Sequence, residues 1–406
     1  MEEWKLTKIG SLCKRVCSGG TPKSTIEEYF GGDIPWLNTK EVNFNRIYST
    51  ESTISDAGLN NSSAKWIDKH SVIVAMYGAT AAKCAIGMIP MTTNQACCNL
   101  MVDENLADYR FIYYALTNSY STLASLANGG AQQNLNAQLI KDFEIPLPDL
   151  HTQHRIADIL TSIDDKIENN NRINHNLEEQ AQALYKSWFV DFEPFQEGEF
   201  VESELGLIPK GWKVVSLDSL CSIISRGFSP KYSESTTDVV LGQRCVRNNM
   251  IDLSVSKTHV PKNIGERALC RYDILINSTG MGSLGRVAQI YFKPERMTYD
   301  SHLTLVRAKS STLEMYLGRN LLSRQDEIEN MAVGSTGQTE LPRDSVKAMS
   351  ILLPCDTVLD QFGALIRAIA GRIQSNLEEN VGLTAMRDYL LPKLMSGELK
   401  INDLAC

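Results

Sequence analysis

No stretch of this 406-residue chain is both long and apolar. The most apolar segment, residues 72–91, contains Gly78, Lys83, Gly87 and Pro90, so buried strands and a loop are expected there and not a membrane span. The N-terminus is acidic and lacks the apolar core of a secretory leader. Histidine is scarce, with six in the chain, and His151 and His154 have no cysteine or acidic neighbour at metal-ligand spacing. Ten cysteines are present, but none forms a C-x-x-C pair. Cys97 and Cys98 are adjacent, and Cys13 and Cys17 are four apart. Neither a zinc site nor a disulfide scaffold is expected, and the cysteine usage suits a reducing cytoplasm.

The signatures of catalysis are also missing. Gly78 to Lys83 lacks the second glycine and the Ser/Thr of a phosphate-binding loop. There is no Asn/Asp-Pro-Pro-Tyr/Phe element to grip a target amine, no Gly-x-Ser-x-Gly elbow and no His-Glu-x-x-His helix. Gly280, Gly282 and Gly285 fit G-x-G-x-x-G, with Asp300 downstream. A dinucleotide site needs a helix to start at that loop, whereas Arg286-Val-Ala-Gln-Ile-Tyr-Phe292 reads as a strand. A glycine-rich hairpin is expected instead. Asp164 and Asp165 read as a solvated helix face.

Net charge is −8, but it is unevenly placed. Residues 150–204 carry 4 basic and 12 acidic side chains, while residues 205–355 carry 19 basic and 14 acidic ones. The acidity is concentrated in one helical stretch and the segment after it. The second globular part is basic, which tolerates a nucleic-acid partner.

What the chain does have is an internal repeat. Residues 4–23 and 212–231 align without gaps and share eight of twenty residues, from Trp4 and Trp212 to Lys23 and Lys231. The repeat returns where Gln132, Leu135, Lys141, Ile145, Leu147 and Pro148 match Gln338, Leu341, Lys347, Ile351, Leu353 and Pro354. Between these blocks the likeness is faint: Lys83 against Arg286, and Asn94–Ala96 against Asp300–His302. A period this long marks a duplicated domain with similar ends and a divergent middle.

Each copy runs into a helical pattern, from about His151 to Phe189 and from about Thr357 to Leu391. Apolar residues recur at spacings of three and four, the seam of a coiled coil. The seam comprises Ile163, Ile167, Leu177 and Leu184 in one helix, and Ile369, Ile373, Leu383 and Leu390 in the other. Asn170 and Asn174, matched by Asn376 and Asn380, interrupt it. A buried Asn penalises registers that leave its amide unpaired, so the helices are expected to pair antiparallel with the asparagines near the crossing centre. Arg387 breaks the apolar pattern.

The expected fold is α+β (mixed α/β), with two similar globular domains alternating with the two paired helices. The boundaries are a first domain at 1–149, a helix at 150–192, a linker at 193–211, a second domain at 212–355, and a helix and tail at 356–406. Ser71–Met76 and Asp273–Asn277 read as buried strands. Ala107–Leu126 and Leu313–Met331 read as helices.

This order of variable domain, long helix, variable domain and long helix resembles the specificity subunit of type I restriction-modification systems. The resemblance rests on Leu205-Gly-Leu-Ile-Pro-Lys-Gly-Trp212 at the entry to the second domain. It also rests on Asn134-Leu135, Ile145–Pro148 and Ile351–Pro354 at the domain exits, and on Gln153–Leu177 and Lys186–Phe192 in the first helix. It implies that the chain binds double-stranded DNA and two adenine-N6 methyltransferase subunits, with restriction subunits attached through them. Each domain would read half of a split target. S-adenosylmethionine, ATP and magnesium would be bound by the partners and no cofactor by this chain, and the target adenine would be flipped out by those partners. A helix of about 35 residues spans roughly 50 Å, enough to hold two readers about one DNA turn apart, or about 34 Å.

Base edges are read by Arg, Lys, Asn and Gln on exposed loops, and phosphates are held by Lys, Arg, Ser, Thr and backbone N–H groups. Loop context and placement in the repeat select Thr21, Lys23, Asn38, Lys40, Tyr77, Lys83, Asn94, Gln95, Gln132 and Gln133 in the first domain. They select Ser229, Lys231, Gln243, Arg244, Arg247, Ser278, Arg286, His302, Thr336 and Gln338 in the second. Two other function classes compete: a single-chain methyltransferase or nuclease fused to its recognition domains, and a two-domain scaffold that binds proteins.

Overall fold

The computed structural model describes residues 4–126, 134–260, 265–334 and 339–399. Contacts divide the chain into two units, residues 1–168 with 380–406, and residues 169–379. Each unit therefore contains one globular part and a portion of both long helices.

The two units share one topology. In the first, the end strands Lys5–Lys8 and Glu144–Leu147 pair antiparallel, and in the second Lys213–Ser216 and Ser350–Leu353 do the same. The main sheet of the first unit has the order Cys13–Ser18, Cys97–Val102, Val72–Ala75, Cys84–Gly87, Asn45–Ile47. The second repeats its first four strands as Cys221–Arg226, Leu303–Ala308, Ile274–Asn277 and Val287–Gln289. A parallel pair recurs in a second sheet, Phe30–Leu37 with Met91–Thr93 and Val239–Leu241 with Met297–Tyr299. The central strands Val72–Ala75 and Ile274–Asn277 are buried along their whole length, as continuous β-branched runs require.

The expected single helices are each broken. Tyr109–Asn118 and Tyr120–Ser125 meet at Ser119, and Ser311–Leu322 and Gln325–Asn330 are interrupted at Ser323 and Arg324. Residues 193–211, expected as a linker, fold into a hairpin of Phe200–Ser203 and Gly206–Pro209. Phe195 lies edge-on to Trp212, and Ile208 is buried beside it. Aromatic contacts hold this segment within the second unit.

The long helices run Leu150–Phe189 and Asp356–Met395. In the second unit, Asn170 donates to Glu379 at 2.8 Å, and Asn376 donates to Asn174 at 2.7 Å. The partner number falls as the first rises, so the helices pair antiparallel. Ala181, Tyr185, Phe189, Phe362 and Ile366 join that unit's core. In the first unit, Ile156, Ala157 and Leu160 share a core with Leu391, Leu394 and Met395. Ile163, Asn170, Asn174, Ile373 and Asn376 are buried, whereas Ile167, Leu177, Leu184, Ile369, Asn380, Leu383 and Leu390 are half-buried. Arg387 sits on the seam without breaking it, because Asp164 of the opposite helix pairs with it at 3.0 Å. Asp164 also accepts a 2.6 Å bond from the Tyr114 hydroxyl, and Asp165 pairs with Arg46. The reading of these two aspartates as a merely solvated face is thereby corrected. Among the described residues, no helix is long and apolar enough to cross a membrane.

Candidate nucleic-acid interface

Strand ends decide where the loops gather. In the first unit, Ser18 pairs with Cys98 and Ala75 with Cys97, so the loops after residue 18, after residue 75 and before residue 97 open on one edge. The parallel pair adds the loops after Leu37 and Thr93, because Asn94 N donates to Leu37 O at 2.9 Å. Leu135 N donates to Met76 O and brings Asn134 beside Tyr77. Thr21, Lys23, Asn38, Lys40, Tyr77, Lys83 and Gln95 lie on this edge, and Asn94 lies beneath it. Gln132 and Gln133 lie outside the described residues.

The second unit repeats the frame bond for bond. Asp300 N donates to Leu241 O at 2.9 Å, and Leu341 N donates to Ser278 O at 2.9 Å. Ala75 N takes Lys83 O in one unit and Asn277 N takes Arg286 O in the other, at 2.9 and 2.8 Å. Lys83 and Arg286 therefore occupy the same backbone place. Ser229, Lys231, Gln243, Arg244, Arg247, Arg286 and His302 lie on this edge and Ser278 beneath it, while Thr336 and Gln338 lie outside the described residues.

The shared Gly19 and Gly227 explain one part of the repeat. A Cβ on Gly19 would lie 2.0 Å from Thr93 O, and one on Gly227 would lie 2.2 Å from Asp300 O. Only glycine lets the Pro22 and Pro230 loops turn this close to the neighbouring loop.

Two selected residues are structural. Asn94 is buried, and its Oδ1 accepts from Ala96 N and Cys97 Sγ. Ser278 is fully buried, and its hydroxyl bonds Thr304 at 2.7 Å. Both sit beneath the edge, because the first residue after a central strand is still covered by the loops around it.

The remaining residues are accessible to different degrees. Thr21 donates to Gln95, which joins two loops. Asn38 caps the short turn Thr39–Glu41, with Glu41 reaching back to its N–H at 2.9 Å. Lys40 pairs with Glu51 at 2.6 Å, and Lys83 donates to Asn43 at 2.7 Å. Lys23, Lys231, Arg244 and Arg247 are exposed, and none forms an ion pair among the described residues. Arg247 stands on the hairpin Val246–Ile251, whose turn residues Asn248 and Asn249 take positive φ. Arg286 is exposed and donates to Gly282 O at 2.6 Å. The Gly280–Gly285 loop joins two antiparallel strands and starts no helix, so it is a hairpin.

Three organisers escaped the sequence reading. Arg226 donates to Ser301 O at 3.0 Å and Leu341 O at 2.7 Å, and pairs with Glu340 at 2.8 Å. Burial lowers its pKa against the pull of Glu340. Asn277 is buried and donates to Gln243 O at 3.1 Å. Thr279 bonds His302 and Gln243. Beneath them Asp300 is held above the usual carboxylate range by burial, although its Oδ1 accepts from His302 N.

Comparison with known proteins shows what this chain is similar to. The type I restriction modification DNA specificity domain matches residues 1–179. The chain is 29% identical over 419 residues to the specificity subunit of the type I restriction enzyme MjaIX from Methanocaldococcus jannaschii, covering 99% of this chain and 95% of that one. It is 22% identical over 469 residues to the HindI specificity subunit of Haemophilus influenzae, covering 98% and 100%. Its fold is similar to the crystal structure of the type I restriction-modification S subunit from M. genitalium, with a TM-score of 0.60, 18% identity and 96% of each chain covered. Residues 1–179 thus match the specificity domain, and the chain as a whole is similar to specificity subunits of type I restriction-modification systems.

Proposed function

We propose that each unit sets its loop edge against double-stranded DNA and reads one half of a split target. Adenine-N6 methyltransferase subunits, two per chain, dock on this protein, and restriction subunits attach through them. The chain is a non-catalytic specificity subunit. In this reading S-adenosylmethionine, ATP and magnesium belong to the partners. The two 40-residue helices, each roughly 60 Å at 1.5 Å per residue, fix the gap between half-sites.

The observation that carries this reading is the repetition of one backbone frame with different side chains on it. A reader of two unrelated half-sites needs a constant scaffold to meet the phosphates and variable groups to meet base edges.

Single-molecule sequencing of methylated adenine, in cells with and without this chain, tests the proposal. Two blocks of fixed bases separated by a constant gap, lost on deletion, are expected. Methylation that ignores the deletion, or a single uninterrupted block, would overturn it. Methyl transfer by the purified chain alone would revive the enzyme alternative.

A further inference from the structure

In the second unit, three loops converge on one hydroxyl. Thr279 Oγ1 lies 2.7 Å from His302 Nδ1 and 3.3 Å from Gln243 Oε1. The Gln243 oxygen can only accept, so the single Thr279 proton goes to it. The Thr279 oxygen must then accept from Nδ1–H of His302. In that tautomer, Nε2 of the exposed imidazole is a bare acceptor. The direction of the relay follows from the Gln243 amide, whose –NH2 is left to donate.

The backbone around this relay is pinned. His302 N donates to Asp300 Oδ1 at 2.9 Å, and its carbonyl accepts from Ser278 N at 2.9 Å. The carbonyl of Gln243 accepts from Asn277. Gly280 has φ +100, and a Cβ there would lie 2.7 Å from Gln243 Oε1. The loop is thus shaped to let that amide reach Thr279. In the first unit the same three backbone places hold Ala96, Tyr77 and Thr39. Met76 N takes Ala96 O as Ser278 N takes His302 O, and Thr39 opens its short turn as Gln243 does. No such relay is possible there.

We infer that Thr279 is a positioning residue that holds His302 as a hydrogen-bond acceptor, so that the second unit selects an amine-bearing base at one position of its half-site. In the major groove only adenine and cytosine offer an exocyclic amine donor, at N6 and N4. This inference rests on the proposed DNA-reading role.

The test selects bound sequences from DNA randomised across both half-sites, using the full chain assembled with its methyltransferase subunits. The variants are Thr279→Val, Thr279→Ser and His302→Phe. Wild type should require adenine or cytosine at one position of the second unit's half-site. Thr279→Val and His302→Phe should each weaken that preference about tenfold or more, at that position only. Thr279→Ser, which keeps the hydroxyl, should retain it, and the other half-site should not change. A wild type that selects no half-sites overturns the DNA-reading role itself. An intact wild-type motif that neither variant changes overturns the relay alone. So does a position that selects guanine or thymine, or a Thr279→Val variant that flattens the entire half-site and is not matched by His302→Phe.

Discussion

The side-chain amide of Asn376 donates a 2.7 Å hydrogen bond to the side-chain oxygen of Asn174, inside the seam between the long helices of the second unit. Both residues are buried, and among the described residues the Asn174 amide nitrogen has no hydrogen-bond partner. The bond therefore holds register more than it adds stability. Asn376→Leu alone strands the Asn174 oxygen and should cost about 1–3 kcal/mol. The double change Asn174→Leu with Asn376→Leu should recover most of that loss while weakening the preference for one register. Urea unfolding of wild type, the Asn174→Leu and Asn376→Leu single variants and the double variant decides it. A double variant as unstable as the sum of the singles would refute the argument.

Arg319 is the other buried commitment of that unit. Its side chain is fully buried, pairs with Glu178 of the first long helix and donates to the Tyr291 hydroxyl. Among the described residues its Nε has no hydrogen-bond partner. Glu178→Ala leaves a guanidinium under the core without its counter-charge and should cost about 3–5 kcal/mol. Asp344→Ala removes half of an exposed pair with Arg343 and should cost less than about 1 kcal/mol. Denaturation midpoints that move equally for the two would contradict this ranking.

The ends of each repeat were legible because packing dictates them. Gly19 and Gly227 have backbone carbonyls where a Cβ would go, and Ile145 and Ile351 are buried in the end strands. The middles were not, because backbone hydrogen bonds hold their frame. The Ala75–Lys83 and Asn277–Arg286 bonds place the same loop in each unit whatever side chains the loop carries. Residue type also misled at two places. Asn94 and Ser278 have the chemistry of base readers, yet both are buried and bonded within the protein. Thr279 precedes a glycine, and its residue type alone does not mark it as a positioning group. Its role follows only from the approach of His302 and Gln243, which lie far from it in sequence. The helices were legible as a pair, but the buried positions Ala181 and Tyr185 were not, since the expected leucines beside them flank the contact.

Asp108 ties a globular helix to a long one in the first unit and makes that unit sensitive to acid. Its carboxylate accepts from Arg110 N at 2.8 Å, from the Arg110 guanidinium and from His154 at 2.7 Å. Burial pushes its pKa up, but these bonds more than offset burial and hold it below 3.8. A carboxylate with a depressed folded-state value stabilises the fold above its unfolded value and loses that contribution as pH falls through the folded one. Asp108→Asn should therefore be less stable than wild type near neutral pH, with the gap closing as pH drops below 3.8. Chemical denaturation across that range reads the gap, and a constant difference down to the acid limit would rule the linkage out.

The exposed cations of the second edge carry the last prediction. Lys231, Arg244 and Arg247 form no ion pair among the described residues, so in the proposed reading DNA phosphates would meet them without competition from a carboxylate. Lys40 in the first unit is held by Glu51 at 2.6 Å and has a counter-charge to give up first. Each phosphate neutralised steepens the dependence of binding on salt by about 0.9 in log–log slope. Replacing Lys231, Arg244 and Arg247 together by alanine should lower the slope by close to three such steps, weaken binding to all sequences alike and leave the selected bases unchanged. Lys40→Ala should lower it by less than one. Binding isotherms at a series of salt concentrations, with the chain in its methyltransferase assembly, provide both slopes. An unchanged slope in the triple variant would mean that the second edge does not face the phosphates. A change confined to one base position would make one of the three a base reader instead.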